Sequence, residues 1–131
     1  MKLKVYNSEN SHHFVMGKPT IRIARRAGLI SFSKGAIELM KLTDTDRITV
    51  CNDEDSPRDW FLHKTDEPTA FAIRLKGKAT VFQFNSAILV QKILDSLKIE
   101  LGASFKLAKT PVQMDGKEYW PIITANPIGV K

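Results

Sequence analysis

The sequence predicts an α+β fold: two similar units of strongly curved antiparallel sheet with one helix each, related by a pseudo-two-fold within a single domain over residues 1–131. Three observations carry that expectation. Short runs in which apolar and polar residues alternate have the period of half-buried strands. Only two stretches, near 34–42 and 86–99, place apolar residues at helical spacing. The order strand, strand, helix, strand, strand occurs over about 20–66 and again over about 70–125, an internal duplication. A length of 131 residues suits one core, and 43% apolar against 26% charged residues is globular composition rather than that of a disordered chain.

In the first unit, TIRIARR (20–26) alternates Ile21 and Ile23 with Thr20 and Arg22, Ala27-Gly28 makes a turn, and LISFS puts Ile30 and Phe32 on one face. Ser33 stands where an N-cap belongs, ahead of KGAIELMKL, whose Ile37, Leu39 and Met40 face inward. Thr43 to Asp46 breaks that helix. Arg47 to Val50 resumes alternation, and the polar loop NDEDSPRD leads into WFLHK as a long-looped hairpin. In the second unit, AFAIRLK (70–76) turns at Gly77-Lys78 into ATVFQF, and Asn85 or Ser86 caps SAILVQKILDSLKI. Ala87, Val90, Ile93, Leu94 and Leu97 form its apolar stripe. SFKLAK, the Asp115-Gly116 turn and the strand EYWPIIT complete the unit. Phe32-Ser33 matches Phe84-Asn85 at the strand-to-helix junction, and Trp60 matches Trp120. The stretch KVYNSENSHHFVMG adds one or two strands in front, so the chain also parses as four strands and a helix, twice, with two strands trailing.

Charge follows the same division. Residues 1–50 carry nine Lys/Arg against four Asp/Glu, residues 69–131 repeat that balance, and residues 51–68 hold two against six. Two basic halves thus flank an acidic hinge. The net +6 and pI near 9.6 favour acidic partners, nucleic acid first. Cys51 is the lone cysteine, no apolar run approaches the length needed to span a bilayer, and the opening residues lack the apolar core of an export signal, so a soluble cytoplasmic protein is expected.

With these elements in place, the repeated four-strand-plus-helix parse resembles, in element order alone, the single-stranded nucleic-acid-binding group of positive cofactor four, the Pur proteins and the Whirly proteins. That resemblance implies curved sheets offering a basic and aromatic surface, with helices packed on the other side. Separately, Gly28, Ile30, Ala36, Glu38, Leu39, Leu42, Asp46, Ile48 and Val50 resemble the AbrB/SpoVT-like DNA-binding pattern over residues 28–50. Thr45 stands where that pattern usually has Gly, and a short swapped dimer of that kind leaves residues 70–131 without a role.

Arg22, Arg25, Arg26 and Lys34 in the first half, and Arg74, Lys76 and Lys78 in the second, fall on or beside equivalent hairpins. A duplicated fold brings them together as a stripe that neutralises phosphates. The same residues serve equally as a solvated sheet face. Trp60, Tyr119 and Trp120 are the aromatics available for base stacking, with half-buried core aromatics as the plainer alternative. Asp53, Glu54, Asp55 and Asp59 lack the D-x-D-x-D-G spacing of a calcium loop and read as a solvated hairpin tip. The adjacent His12 and His13 point to opposite faces of a strand, His63 is remote, and no zinc set results. No metal or cofactor is expected. The sequence holds no G-x-S-x-G, P-loop, dinucleotide-binding glycine set, H-E-x-x-H or paired-cysteine motif, which argues against an enzyme.

The reading is a small module that binds nucleic acid, single-stranded DNA or RNA with low sequence specificity. Its rivals are a protein-interaction or homo-oligomerisation module with no nucleic-acid ligand, and an AbrB-like regulator that binds duplex DNA.

Overall fold

Strand alternation builds the first hairpin. In the computed structural model, which describes residues 2–3, 18–75 and 82–131 and only the backbone of Arg74 and Leu75, β1 (Thr20–Ala24) pairs with β2 (Leu29–Phe32). Ile21 lies opposite Phe32 and Ile23 opposite Ile30, all four buried. The turn between them needs glycine at position 28. Gly28 has φ +57°, and a Cβ there would stand 2.9 Å from the Cα and N of Ala87. Its carbonyl accepts the Ser86 N–H at 2.7 Å, and the Asn85 side-chain amide donates to the Ala27 carbonyl at 2.9 Å, so the turn is locked to the start of the second helix.

The two helices begin and end alike. The Ser33 hydroxyl accepts the Ala36 N–H at the head of α1 (Lys34–Met40), and the Ser86 hydroxyl accepts the Leu89 N–H at the head of α2 (Ala87–Leu97). Each closes on a left-handed lysine, Lys41 (φ 55°) and Lys98 (φ 58°). The N–H groups of Lys41 and Leu42 reach the carbonyls of Glu38 and Ile37, as those of Lys98 and Ile99 reach Asp95 and Leu94. Val90, Ile93, Leu94 and Leu97 are buried as the stripe predicts, but Ala87 is exposed, being the first helical residue and ahead of the packed face. In the shorter α1 the buried residues are Gly35, Ala36 and Met40, with Ile37 and Leu39 only packed against the core.

The expected long loop at 52–59 is mostly strand. β3 (Arg47–Asp53) and β4 (Ser56–Thr65) run up to a tight turn, because the Asp53 carboxylate accepts the Asp55 N–H at 2.9 Å, and a bulge lies between Asn52 and Asp53. The acidic middle of the chain is therefore a hairpin, not a hinge. β5 (Phe71–Ala72) and β6 (Arg74–Leu75) flank buried Ile73, and β7 (Phe82–Asn85), β8 (Gly102–Leu107), β9 (Val112–Met114) and β10 (Lys117–Ile128) follow. Asp115 and Gly116, both at positive φ, form the two-residue turn the sequence signals. The Gly77-Lys78 turn and the strands expected in KVYNSENSHHFVMG lie outside the described residues.

All pairings are antiparallel, in the order β5-β3-β4-β10-β8-β1-β2-β7-β6, with β9 beside β10. The two ends of that order, β5 and β6, are separated along the chain only by Ile73, so the sheet is nearly closed on itself. Its inner face carries Ile21, Ile23, Ile30, Phe32, Phe84 and Phe105, packed with Leu94 and Val90 of α2. The architecture is α+β, rich in strand, with two helices among the described residues.

Candidate nucleic-acid interface

One rung on the outer face of the sheet brings polar residues from five strands into line. Ser104 of β8 lies opposite Arg22 of β1, Arg22 opposite Ser31 of β2, Ser31 opposite Gln83 of β7, and Gln83 opposite Arg74 of β6. The placement follows from strand period: Ile21 and Ile23, Ile30 and Phe32, Phe82 and Phe84 are buried, so Arg22, Ser31 and Gln83 between them project outward. Neighbouring strands lie about 4.8 Å apart, which sets the β1 and β6 backbones about 14 Å from one another. A nearly closed sheet is convex outside, and the β2–β7 pair stands at the middle of this stretch.

The side chains of Arg22, Ser31 and Gln83 are lightly committed. Arg22 makes two long contacts, to the Ser104 hydroxyl at 3.5 Å and the Gly129 carbonyl at 3.4 Å. Ser31 and Gln83, both half-buried, make no side-chain hydrogen bond among the described residues. Of the sequence candidates, the structure therefore aligns Arg22 with the backbone position of Arg74. Lys76 and Lys78 lie outside the described residues. Arg26 is exposed at the β1–β2 turn and Lys34 at the head of α1. Arg25 is engaged elsewhere: it bonds Asp95 at 2.7 Å and the carbonyls of Ile99 at 3.1 Å and Glu100 at 2.6 Å. A cation beyond the C-terminus of α2 satisfies carbonyls and helix dipole alike, which is a structural task.

The aromatic candidates are placed apart from the rung. Trp60 is buried, and its indole N–H donates to the Ser96 hydroxyl at 2.9 Å, fastening β4 to α2. Tyr119 is half-buried and stacked on His63 with ring centroids 4.8 Å apart, and Trp120 packs against the core. Both sit on β10, three strand steps from β2.

Ser31, Gln83 and Ser104 escape a search for charge and aromatic rings. Their signal lay in the alternation, as polar residues at the outward phase of strands whose other residues are apolar. The tip residues Asp53, Glu54, Asp55 and Asp59 are exposed, and among the described residues no three metal-ligating side chains come together. Cys51 is half-buried on β3, and burial raises its thiol pKa. Among the described residues no helix is long and apolar enough to cross a membrane. No family model, curated protein or solved structure matches the chain.

Proposed function

We propose that the protein binds nucleic acid through the convex outer face of β1, β2, β7 and β6. The observation that carries the reading is the register Arg22, Ser31, Gln83, Arg74 across four strands, in which Ser31 and Gln83 make no side-chain hydrogen bond among the described residues. The β1 and β6 backbones that carry Arg22 and Arg74 lie about 14 Å apart on either side of the β2–β7 pair at the middle of this convex face, a spacing that suits phosphates on either side of a groove. The net charge of +6 adds long-range attraction. Because Trp60 is committed to the core and Tyr119 and Trp120 lie elsewhere, the described residues of this face include no exposed aromatic for stacking, which favours duplex over single strand. A cytoplasmic setting fits the lone cysteine.

We also infer a pseudo-two-fold inside the chain. Exchanging β1 with β5–β6, β2 with β7, β3 with β8 and β4 with β10 reproduces the strand order, and the paired helix closures support the same relation. Each hairpin of one half then pairs with strands of the other, an interleaving that suits the AbrB/SpoVT-like resemblance of residues 28–50 and gives residues 70–131 the part of the second subunit.

The test is fluorescence anisotropy of the protein with labelled duplex and single-stranded oligonucleotides at several salt concentrations. Binding that weakens with salt, tighter for duplex, is expected, and Arg22→Ala with Arg74→Ala should reduce the log–log salt slope by about 2. Absence of binding at low salt would overturn the proposal. The interaction-module reading has its own support in Leu101, Ile123, Ile128 and Val130, exposed around β8 and β10. It requires a salt-insensitive oligomer that does not form when these are made polar.

A further inference from the structure

We infer that this face reads duplex DNA by sequence, with Ser31 and Gln83 over the centre of an approximately palindromic site; the inference rests on the nucleic-acid reading above. Along the rung the residues run Arg22, Ser31, Gln83, Arg74, and the Ser31–Gln83 pair joins two antiparallel strands. A local two-fold perpendicular to the sheet therefore falls between β2 and β7, taking Arg22 to Arg74 and Ser31 to Gln83. A DNA duplex has dyads of the same kind perpendicular to its axis, and a binder with a two-fold selects sites with matching half-sites.

The dimensions select the groove. The B-form major groove, about 12 Å wide, admits the width of two strands, so the β2–β7 pair at the middle of the convex face is set over base edges, while β1 and β6, with backbones about 14 Å apart, border the groove where the phosphates run. The major groove of A-form RNA is deep and too narrow for such readout, which excludes duplex RNA. The centre is chemically unequal. The Gln83 carboxamide offers a donor and an acceptor together, the pair that adenine N6 and N7 require, whereas the Ser31 hydroxyl accepts any of several base edges. One chain supplying both halves should therefore recognise a site whose flanks are related by two-fold symmetry and whose central step is not, with adenine favoured on the Gln83 side. One chain should occupy one dyad.

Selection from a randomised duplex DNA library with the full chain tests this, followed by anisotropy on the enriched sequences. The expected result is a motif with two-fold-related flanks, bound by one chain per duplex. Gln83→Ala should lose its discrimination at the central adenine by about tenfold. Gln83→Ser should make the preferred centre symmetric, and unchanged thermal unfolding of both variants would show that folding is intact. Duplex binding without an enriched motif, or binding confined to single strands, would overturn this inference and leave the nucleic-acid proposal standing. An enriched motif insensitive to Gln83 would also overturn it. Failure to bind any nucleic acid would remove both.

Discussion

Trp60→Phe separates a core tryptophan from a stacking one. The indole N–H donates to the Ser96 hydroxyl at 2.9 Å, and that hydroxyl donates to the Ile93 carbonyl at 2.6 Å, so the substitution unties β4 from α2. Losing the hydrogen bond costs about 1 kcal/mol. The partly collapsed void left by the smaller ring adds roughly 1 to 2 kcal/mol, since Trp60 is 6% exposed and ringed by buried side chains. The sum is about 2 to 3 kcal/mol. Ser96→Ala alone leaves the indole N–H buried without a partner, and the two changes together should cost less than their separate effects added, with a coupling of about 1 kcal/mol. Urea titration reads these values as a lowered midpoint at constant slope. Oligonucleotide affinity should not change with Trp60→Phe, because β4 lies four strand steps from β2. An unchanged urea midpoint combined with weaker oligonucleotide binding would refute this and return Trp60 to the interface.

Gly28→Ala meets backbone at 2.9 Å in a left-handed conformation, whereas Gly116→Ala, also left-handed, meets nothing within 4 Å. The first should lower stability by more than about 2 kcal/mol and the second by about 1 kcal/mol, read from thermal or urea unfolding; equal effects would mean that the turn does not press on α2. Cys51 has a thiol pKa raised above the ordinary 9.0 by burial. The folded state then holds its proton longer than the unfolded chain, so stability from this group is complete below the unfolded pKa and declines as pH rises toward the folded value. Cys51→Ser should flatten that decline in urea midpoints measured from pH 8 upward.

Much of this was legible because local chemistry and tertiary structure agree. Ser33 is the cap its position suggests, Ser86 rather than Asn85 caps the second helix, and Ile21, Ile23, Ile30 and Phe32 are buried as their alternation requires. What escaped is non-local. Nothing in NDEDSPRD announces that β4 begins at Ser56, since the turn is closed by a side chain, Asp53, within a polar run. Reading the first strand through Arg26 put Arg25 on a sheet face, whereas β1 ends at Ala24 and the freed side chain turns to the carbonyls beyond α2. Trp60 shares its phase with Leu62, the inward face of β4, so its burial was available in the alternation. Partners for β1, β2, β3 and β4 beyond their own hairpins come from more than twenty residues away, and no local pattern selects among them.

Those distant partners explain why both halves are needed at once. Each strand of the first half has one neighbour from its own hairpin and one from the second half: β1 with β8, β2 with β7, β3 with β5, β4 with β10. A unit of about fifty residues buries too little surface to stand alone, and here it would also leave four unpaired edges in water. The seam that closes the core on one side, β2 against β7, is the seam that sets Ser31 beside Gln83. On the opposite side of the ring the seam is β4 against β10, and the acidic β3–β4 tip belongs to that region. Interleaving the hairpins thus separates the charges that the sequence carries in blocks. It sets β4, and with it the acidic β3–β4 tip, four strand steps from β2 and from the rung through Arg22 and Ser31.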